Sequence, residues 1–211
     1  DKELERAKET LALRSDFTLY DGFRVFDYYD HGFATLDDII AAFEDYGIYP
    51  TREEARLFLV RYDQNKNNRL NYSEYVDSIL PRDENTAEIL RKRSQKYPRG
   101  YLYRVGDFTL ATEDALAKVL KLHLEVELNA EAVRQRHEEN PYFRYDDAFT
   151  TINKWGEDYL TGEDFSEILR KNRYYITPKE VDMLVSRFDK DKDGRVSYDE
   201  FVEEFSPHSP V

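Results

Sequence analysis

Residues 21–81 repeat without a gap as residues 147–207, at an offset of 126. Asp21-Gly22-Phe23 falls on Asp147-Ala148-Phe149, Arg61-Tyr62-Asp63 on Arg187-Phe188-Asp189, and Pro81 on Pro207. Between them, Asn71-Tyr72-Ser73-Glu74-Tyr75-Val76 matches Ser197-Tyr198-Asp199-Glu200-Phe201-Val202. A period of this length marks a duplicated supersecondary unit, so what one copy folds into bears directly on the other. Within each copy the apolar spacing is helical. Thr51-Arg52-Glu53-Glu54 and Thr177-Pro178-Lys179-Glu180 read as capping boxes, in which the Thr oxygen and the Glu carboxylate satisfy orphan N–H groups reciprocally. Pro178 suits a first helical position, where its missing N–H costs nothing. Ala55, Phe58 and Leu59, and likewise Val181, Leu184 and Val185, then line one helix face.

The chain is therefore expected to be all-α, with two lobes joined by a helical connector. The expected division is an N-terminal helix over 1–20, a first lobe over 21–81, a basic connector and long helix over 82–146, a second lobe over 147–207 and a tail over 208–211. In the connector, Thr112 is placed to cap a helix running to about Glu139, with Leu116, Val119, Leu120 and Leu124 at helical spacing. Its length is roughly 40 Å at 1.5 Å per residue. Its apolar stripe is expected to pack on a lobe, because an apolar face left in water is unfavourable.

Composition narrows the function. Cysteine is absent, which removes disulfides and thiolate metal sites and favours a cytoplasmic address. A net charge of −13 argues against general nucleic-acid binding, which depends on neutralising phosphates. No apolar run approaches the roughly 20 residues needed to span a bilayer, and no leader-like start is visible. The sequence opens on Asp1 rather than Met, as a piece of a longer protein would. Methionine occurs once, at Met183, against 17 Tyr and 13 Phe. Promiscuous binding grooves lean on flexible Met, so these rigid aromatics read as helix-packing core, or as a surface suited to one partner.

One segment carries chemistry. Asp189-Lys190-Asp191-Lys192-Asp193-Gly194-Arg195-Val196-Ser197-Tyr198-Asp199-Glu200 is a twelve-residue loop with acids at positions 1, 3, 5 and 12. Alternating short carboxylates on a tightly wound loop can point Asp189, Asp191 and Asp193 at one centre, and Gly194 permits the left-handed turn this requires. The Arg195 carbonyl and the Ser197 hydroxyl would add oxygens, and Glu200 has the reach to close the site with both of its own. About seven oxygens at 2.3–2.6 Å is what Ca²⁺ demands. The sequence here resembles the EF-hand superfamily, to which calmodulin belongs, down to Phe188 before the loop and Phe201 after it. The resemblance implies two lobes of paired hands, with calcium as the bound ion.

The matching loop of the first copy, Asp63 to Glu74, keeps its two ends. Asn65 and Asn67 replace the acids at positions 3 and 5, while Asn68 replaces the glycine. Asp63, Asn65, Asn67, Arg69, Asn71 and Glu74 are its candidate ligands, through the backbone carbonyl at Arg69. Binding weaker by roughly one to three decades is expected, since affinity follows charge count and rigidity; an empty loop kept for its shape is the other reading. Stepping back 36 residues reaches two further loops, Asp27–Asp38 and Asn153–Asp164. Tyr29 and Trp155 stand at position 3, and Asp38 and Asp164 fall a methylene short at position 12. Both are expected to be structural partners, with Thr35/Asp38 and Thr161/Asp164 serving as helix caps. Ala34 should pair with Leu70, and Leu160 with Val196. Trp155 is expected to be a packed loop residue.

No catalytic arrangement stands out, and the chain is not expected to be an enzyme. His31, His123, His137 and His208 lack zinc spacing, and no phosphate-cradling glycine loop is present. Two functional classes remain: a structural module that uses calcium to fix a lobe, and a sensor that binds target helices when calcium arrives. Scarce Met and degenerate odd loops favour the first. A basic stretch, with Arg91, Lys92, Arg93, Lys96, Arg99 and Arg104 interleaved with Tyr97, Tyr101 and Tyr103, suits an acidic partner, or else the chain's own acidic lobes. Serial hand pairs with Leu80-Pro81-Arg82-Asp83 and Phe205-Ser206-Pro207-His208-Ser209-Pro210 after their exiting helices also resemble EF-hand proteins of protist cilia and cytoskeleton. That resemblance implies a tubulin or axonemal partner and a cytoskeletal or ciliary location.

Overall fold

A computed structural model describes residues 2–98, 100–102 and 104–209. The fold is all-α. Its helices are α1 (Lys2–Ala12), α2 (Leu19–Phe23), α3 (Leu36–Asp45), α4 (Arg52–Tyr62), α5 (Tyr72–Ile79), α6 (Glu84–Arg91), α7 (Leu110–Glu138), α8 (Tyr145–Ile152), α9 (Gly162–Lys171), α10 (Pro178–Phe188) and α11 (Tyr198–Phe205). Among the described residues four two-residue strands, β1 (Phe33–Ala34), β2 (Leu70–Asn71), β3 (Tyr159–Leu160) and β4 (Val196–Ser197), form two antiparallel bridges. Ala34 pairs with Leu70 and Leu160 with Val196, which joins the loops two by two. Among the described residues no helix is long and apolar enough to cross a membrane.

The chain divides into two compact units, Asp1–Ala130 and Glu131–Val211. This redraws the expected connector: residues 82–130 lie within the first unit, and α7 contributes residues to both. The physical reason is the apolar stripe. Leu116, Val119 and Leu120 of α7 are fully buried in the first core, beside Phe26, Phe43 and Phe58. His123 of α7 seals the contact. Its Nε2 donates to the Ser78 carbonyl at 2.9 Å, which leaves Nδ1 to accept from the Tyr62 hydroxyl at 3.0 Å. Helix α7 starts two residues earlier than its expected cap, and Thr112 instead turns its hydroxyl to Asp16 Oδ1 at 2.5 Å. Helix α1 packs against α6 in the same unit.

The second unit is built on a smaller core of Phe149, Leu160, Phe165, Phe188, Val196 and Phe201. Phe188 lies stacked on Phe201 at 6.0 Å, as Phe26 lies on Phe58 at 6.1 Å in the first unit. One paired exchange shows how tightly each core is fitted. A Cβ on Gly22 would strike the Tyr75 hydroxyl and come within 2.7 Å of the Phe17 ring. Their counterparts are Ala148 and Phe201, so the copy without the hydroxyl has room for the methyl group.

Candidate metal centre

The loop Asp189–Glu200 begins where α10 ends and finishes in the first turn of α11. Asp189 closes α10 and turns its carboxylate inward, accepting from the N–H groups of Asp193 at 3.1 Å and Gly194 at 2.9 Å. Asp193 accepts from the Arg195 N–H at 2.8 Å. These bonds wind the loop so tightly that Lys192 and Gly194 adopt positive φ, 64° and 85°. A glycine bears this conformation without strain, which is what position 194 needs. The result brings one carboxylate oxygen each of Asp189, Asp191 and Asp193 within 4.8 Å of one another.

Gathering like charges perturbs them. The Asp193 N–H pulls the Asp191 carboxyl down, but partial loss of water around it and the charges of Asp193 and Glu200 outweigh it and hold it above the usual aspartate value. A divalent cation would relieve that repulsion, and a set of hard carboxylate oxygens suits calcium rather than a soft metal. The residues present fit such an ion.

Glu200 is turned to donors of the loop and the helix start, the Asp191 N–H among them at 3.4 Å. Its Oε1 accepts from the Lys190 N–H at 2.8 Å, and its Oε2 accepts from the Ser197 N–H at 2.9 Å and hydroxyl at 2.7 Å. Burial raises its carboxyl, yet these donors prevail and hold it below the usual range. Ser197 is in turn the N-cap of α11. Both residues expected at the ion are thus drawn into a capping box, because the helix start has orphan N–H groups to satisfy. The Arg195 guanidinium lies 4.3 Å from the centre of the Tyr159 ring across the β-bridge.

The Asp63–Glu74 loop is wound the same way. Asp63 accepts from the N–H groups of Asn67 at 3.0 Å and Asn68 at 2.7 Å, and Asn67 accepts from the Arg69 N–H at 2.9 Å. Lys66 and Asn68 take the positive φ values, 56° and 58°. Arg69 covers the Phe33 ring at 4.1 Å, as Arg195 covers Tyr159. One contact is different. The Asn65 amide donates to Glu74 Oε1 at 2.8 Å, so positions 3 and 12 attract each other directly where Asp191 and Glu200 repel. Asn71 caps α5 through Glu74.

In the Asp27–Asp38 loop, the Asp27 carboxylate accepts from His31 and Gly32 N–H at 2.8 and 2.6 Å, and Asp38 completes a capping box with Thr35. In the Asn153–Asp164 loop, Gly156 alone has positive φ, and Asp164 accepts from Lys154 and Thr161 N–H at 2.9 and 2.8 Å. Trp155, expected to be packed, is 60% exposed beneath the Lys154 ammonium, 4.4 Å away.

The basic stretch is bound to its own unit. Arg93 donates to the Phe17 carbonyl at 3.0 Å, and the Lys96 and Tyr97 N–H groups donate to Asp21 at 2.7 and 3.3 Å. Tyr97 and Tyr101 stack at 4.5 Å, with the Arg24 guanidinium against both rings. Arg91 pairs with Glu84 and Lys92 with Glu88, at 2.8 and 2.6 Å. Arg99 and Tyr103 lie outside the described residues.

Comparison with known proteins agrees with this geometry. A family model described as an EF-hand domain pair matches residues 146–206. Troponin C isoform 2 of Drosophila melanogaster is 29% identical over 120 residues, 57% of this chain and 76% of the relative. A troponin C isoallergen of Blattella germanica is 30% identical over 116 residues, 55% of this chain and 73% of the relative. EF-hand calcium-binding domain-containing protein 6 of Mus musculus is 22% identical over 176 residues, 82% of this chain but a tenth (10%) of that relative's length. The chain belongs to the EF-hand superfamily. It is a calcium-binding protein related to troponin C.

Proposed function

We propose that this chain is a calcium-binding interaction protein with divided labour: the first unit is a permanently filled scaffold, and the second is the calcium-responsive lobe that engages a partner. Asp189, Asp191 and Asp193 hold the ion, with the Arg195 carbonyl, Ser197 and Glu200 completing its shell once Glu200 leaves its capping position. Asp63–Glu74 is the weaker loop. When bound, calcium supplies the positive charge that draws the loop carboxylates together, and everything else is done by the helices they terminate.

The observation that carries this reading is burial at matched positions. Phe26, Phe43, Phe58 and Ile79 are fully buried. Their counterparts Ile152, Leu169, Leu184 and Phe205 are only half-buried. The first unit's apolar groove is filled by α7, whereas the second unit's groove has exposed area to offer. Sensor hands change their interhelical angle on binding calcium and expose such a groove.

The structural and cytoskeletal reading applies best to the first unit, whose basic stretch is tied to the unit's own acids and carbonyls. That use of Arg93, Lys96 and Tyr97 leaves an acidic, tubulin-like partner with less to hold than the bare sequence suggested. The test is a dye that fluoresces on apolar surface, titrated with calcium on the whole chain. The expected result is a rise that Glu200→Gln abolishes and Glu74→Gln leaves intact. A flat response would make the second unit as static as the first.

A further inference from the structure

The repeat is longer than the hand pair. At the same offset Glu5 falls on Glu131, Lys8 on Arg134 and Phe17 on Phe143. The fold uses the first two pairs alike. Glu5 Oε2 accepts from the Arg82 N–H at 3.0 Å, just past Pro81. Glu131 accepts from the His208 N–H at 3.1 Å and the Ser209 N–H at 3.0 Å, just past Pro207. Lys8 Nζ lies 3.4 Å from Glu5, and Arg134 Nη1 lies 3.2 Å from Glu131. Each module therefore opens with a leading helix whose glutamate clasps the turn that follows its last helix.

The copies diverge at the position that Arg134 meets in the second unit. Ser78 of the first unit is matched by Glu204 of the second. Glu204 is 5% exposed and surrounded by cations. Arg134 Nη2 lies 2.6 Å, Arg187 Nε 2.7 Å and Lys190 Nζ 3.1 Å from its carboxylate. Arg134 Nε also donates to the Glu204 carbonyl at 2.8 Å. A carboxylate this buried is tolerable only when it is paired and hydrogen-bonded, so the cluster has little freedom to rearrange piecemeal.

Two residues of this cluster tie it to the metal loop. Glu204 stands one helical turn after Glu200 on α11, and Lys190 is the loop's second residue, whose N–H donates to Glu200 Oε1 at 2.8 Å. We propose that Glu204 and Arg134 are positioning residues of the calcium loop, linking Asp189–Glu200 to the leading helix and to the exit turn at His208–Ser209. Moving Glu200 onto an ion disturbs the Lys190 N–H contact, and Lys190, whose ammonium holds Glu204, carries the disturbance to Glu204 and its clasp. Because coupling is reciprocal, closing the clasp tunes calcium affinity by the same factor that calcium tunes the clasp.

This inference rests on the reading that the loop Asp189–Glu200 holds calcium, and the two can fail separately. The experiment measures amide hydrogen exchange and calcium titration heat on the whole chain, its Arg134→Met variant and its Lys190→Met variant. Lys190→Met removes only a half-exposed contact and is the safeguard should Arg134→Met unfold the unit. In the parent, calcium should alter exchange at both Gly194 and the clasp amides of His208 and Ser209. In either variant the response at Gly194 should persist and that at His208 and Ser209 should vanish, with affinity changed about fivefold or more. Equal affinity in Lys190→Met, or clasp amides indifferent to calcium in the parent, overturns the coupling. A parent that takes up no calcium overturns the metal reading itself.

Discussion

The two units descend from one pattern and differ in what fills them. In the first, a lobe of paired hands is enclosed by α1, α6 and α7, and the Ser78 carbonyl meets the imidazole of His123, which also bonds to Tyr62. In the second, the six-residue apolar core has half-buried flanks, and a buried charge cluster around Glu204 stands where Ser78 would be. The first unit's loop ties position 3 to position 12 by an amide, while the second unit's loop sets carboxylates against each other. A duplicated lobe can thus be made a scaffold or a responsive element by what covers its groove and by the charge of one loop.

The largest effect should separate the cores. Phe58→Ala removes a ring buried between Phe26, Phe43 and His123, and should destabilise the first unit by about 3–5 kcal/mol. Leu184→Ala, at the matched half-buried site, should cost the second unit about half as much, as read by urea unfolding followed through each unit's amides. Equal losses would mean that α7 adds nothing to the first groove.

Next comes pH. Burial lowers the Lys8 ammonium from 10.5 to about 8, against the opposing pull of Glu5. Between those values the unfolded chain keeps a proton that the folded chain has lost, so the first unit should gain stability as pH rises through that window, with no change from this group below it. The gain is of order 3 kcal/mol by pH 10.5. Lys8→Met should flatten it. The second unit has Arg134 at the matched site, which does not deprotonate, and should show no such rise. Burial likewise holds His123 well below 6.5, so the first unit should lose stability as pH falls below that value and the imidazole is forced to charge.

Calcium separates the loops more modestly. Glu200→Gln should weaken the tighter titration event about a hundredfold, close to 2.7 kcal/mol. Heat of similar strength surviving the change would move the principal site to Asp63–Glu74. The smallest effect is expected from Asn65→Asp. It exchanges the Asn65–Glu74 hydrogen bond for repulsion, lowering ion-free stability by about 1 kcal/mol while strengthening calcium binding at that loop.

The repeat offset, the capping boxes and the loop register were legible in the sequence because each is local: a cap is set by residues three apart, and a metal loop by alternate acids and a turn. The pairing of Ala34 with Leu70 and Leu160 with Val196 followed from the same register. The sequence also held the clasp, since Glu5 and Lys8 recur as Glu131 and Arg134, but two residues in a helix read as surface charge until the turn they hold is brought beside them. What only the tertiary structure decided is partnership. The stripe on α7 required burial without saying against what, and the basic stretch around Arg93 was a free surface or an internal strap until Asp21 and the Phe17 carbonyl came within reach. Local rules set which helices form, whereas burial is a competition among all apolar and charged faces at once, and its outcome exists only when the chain has closed on itself.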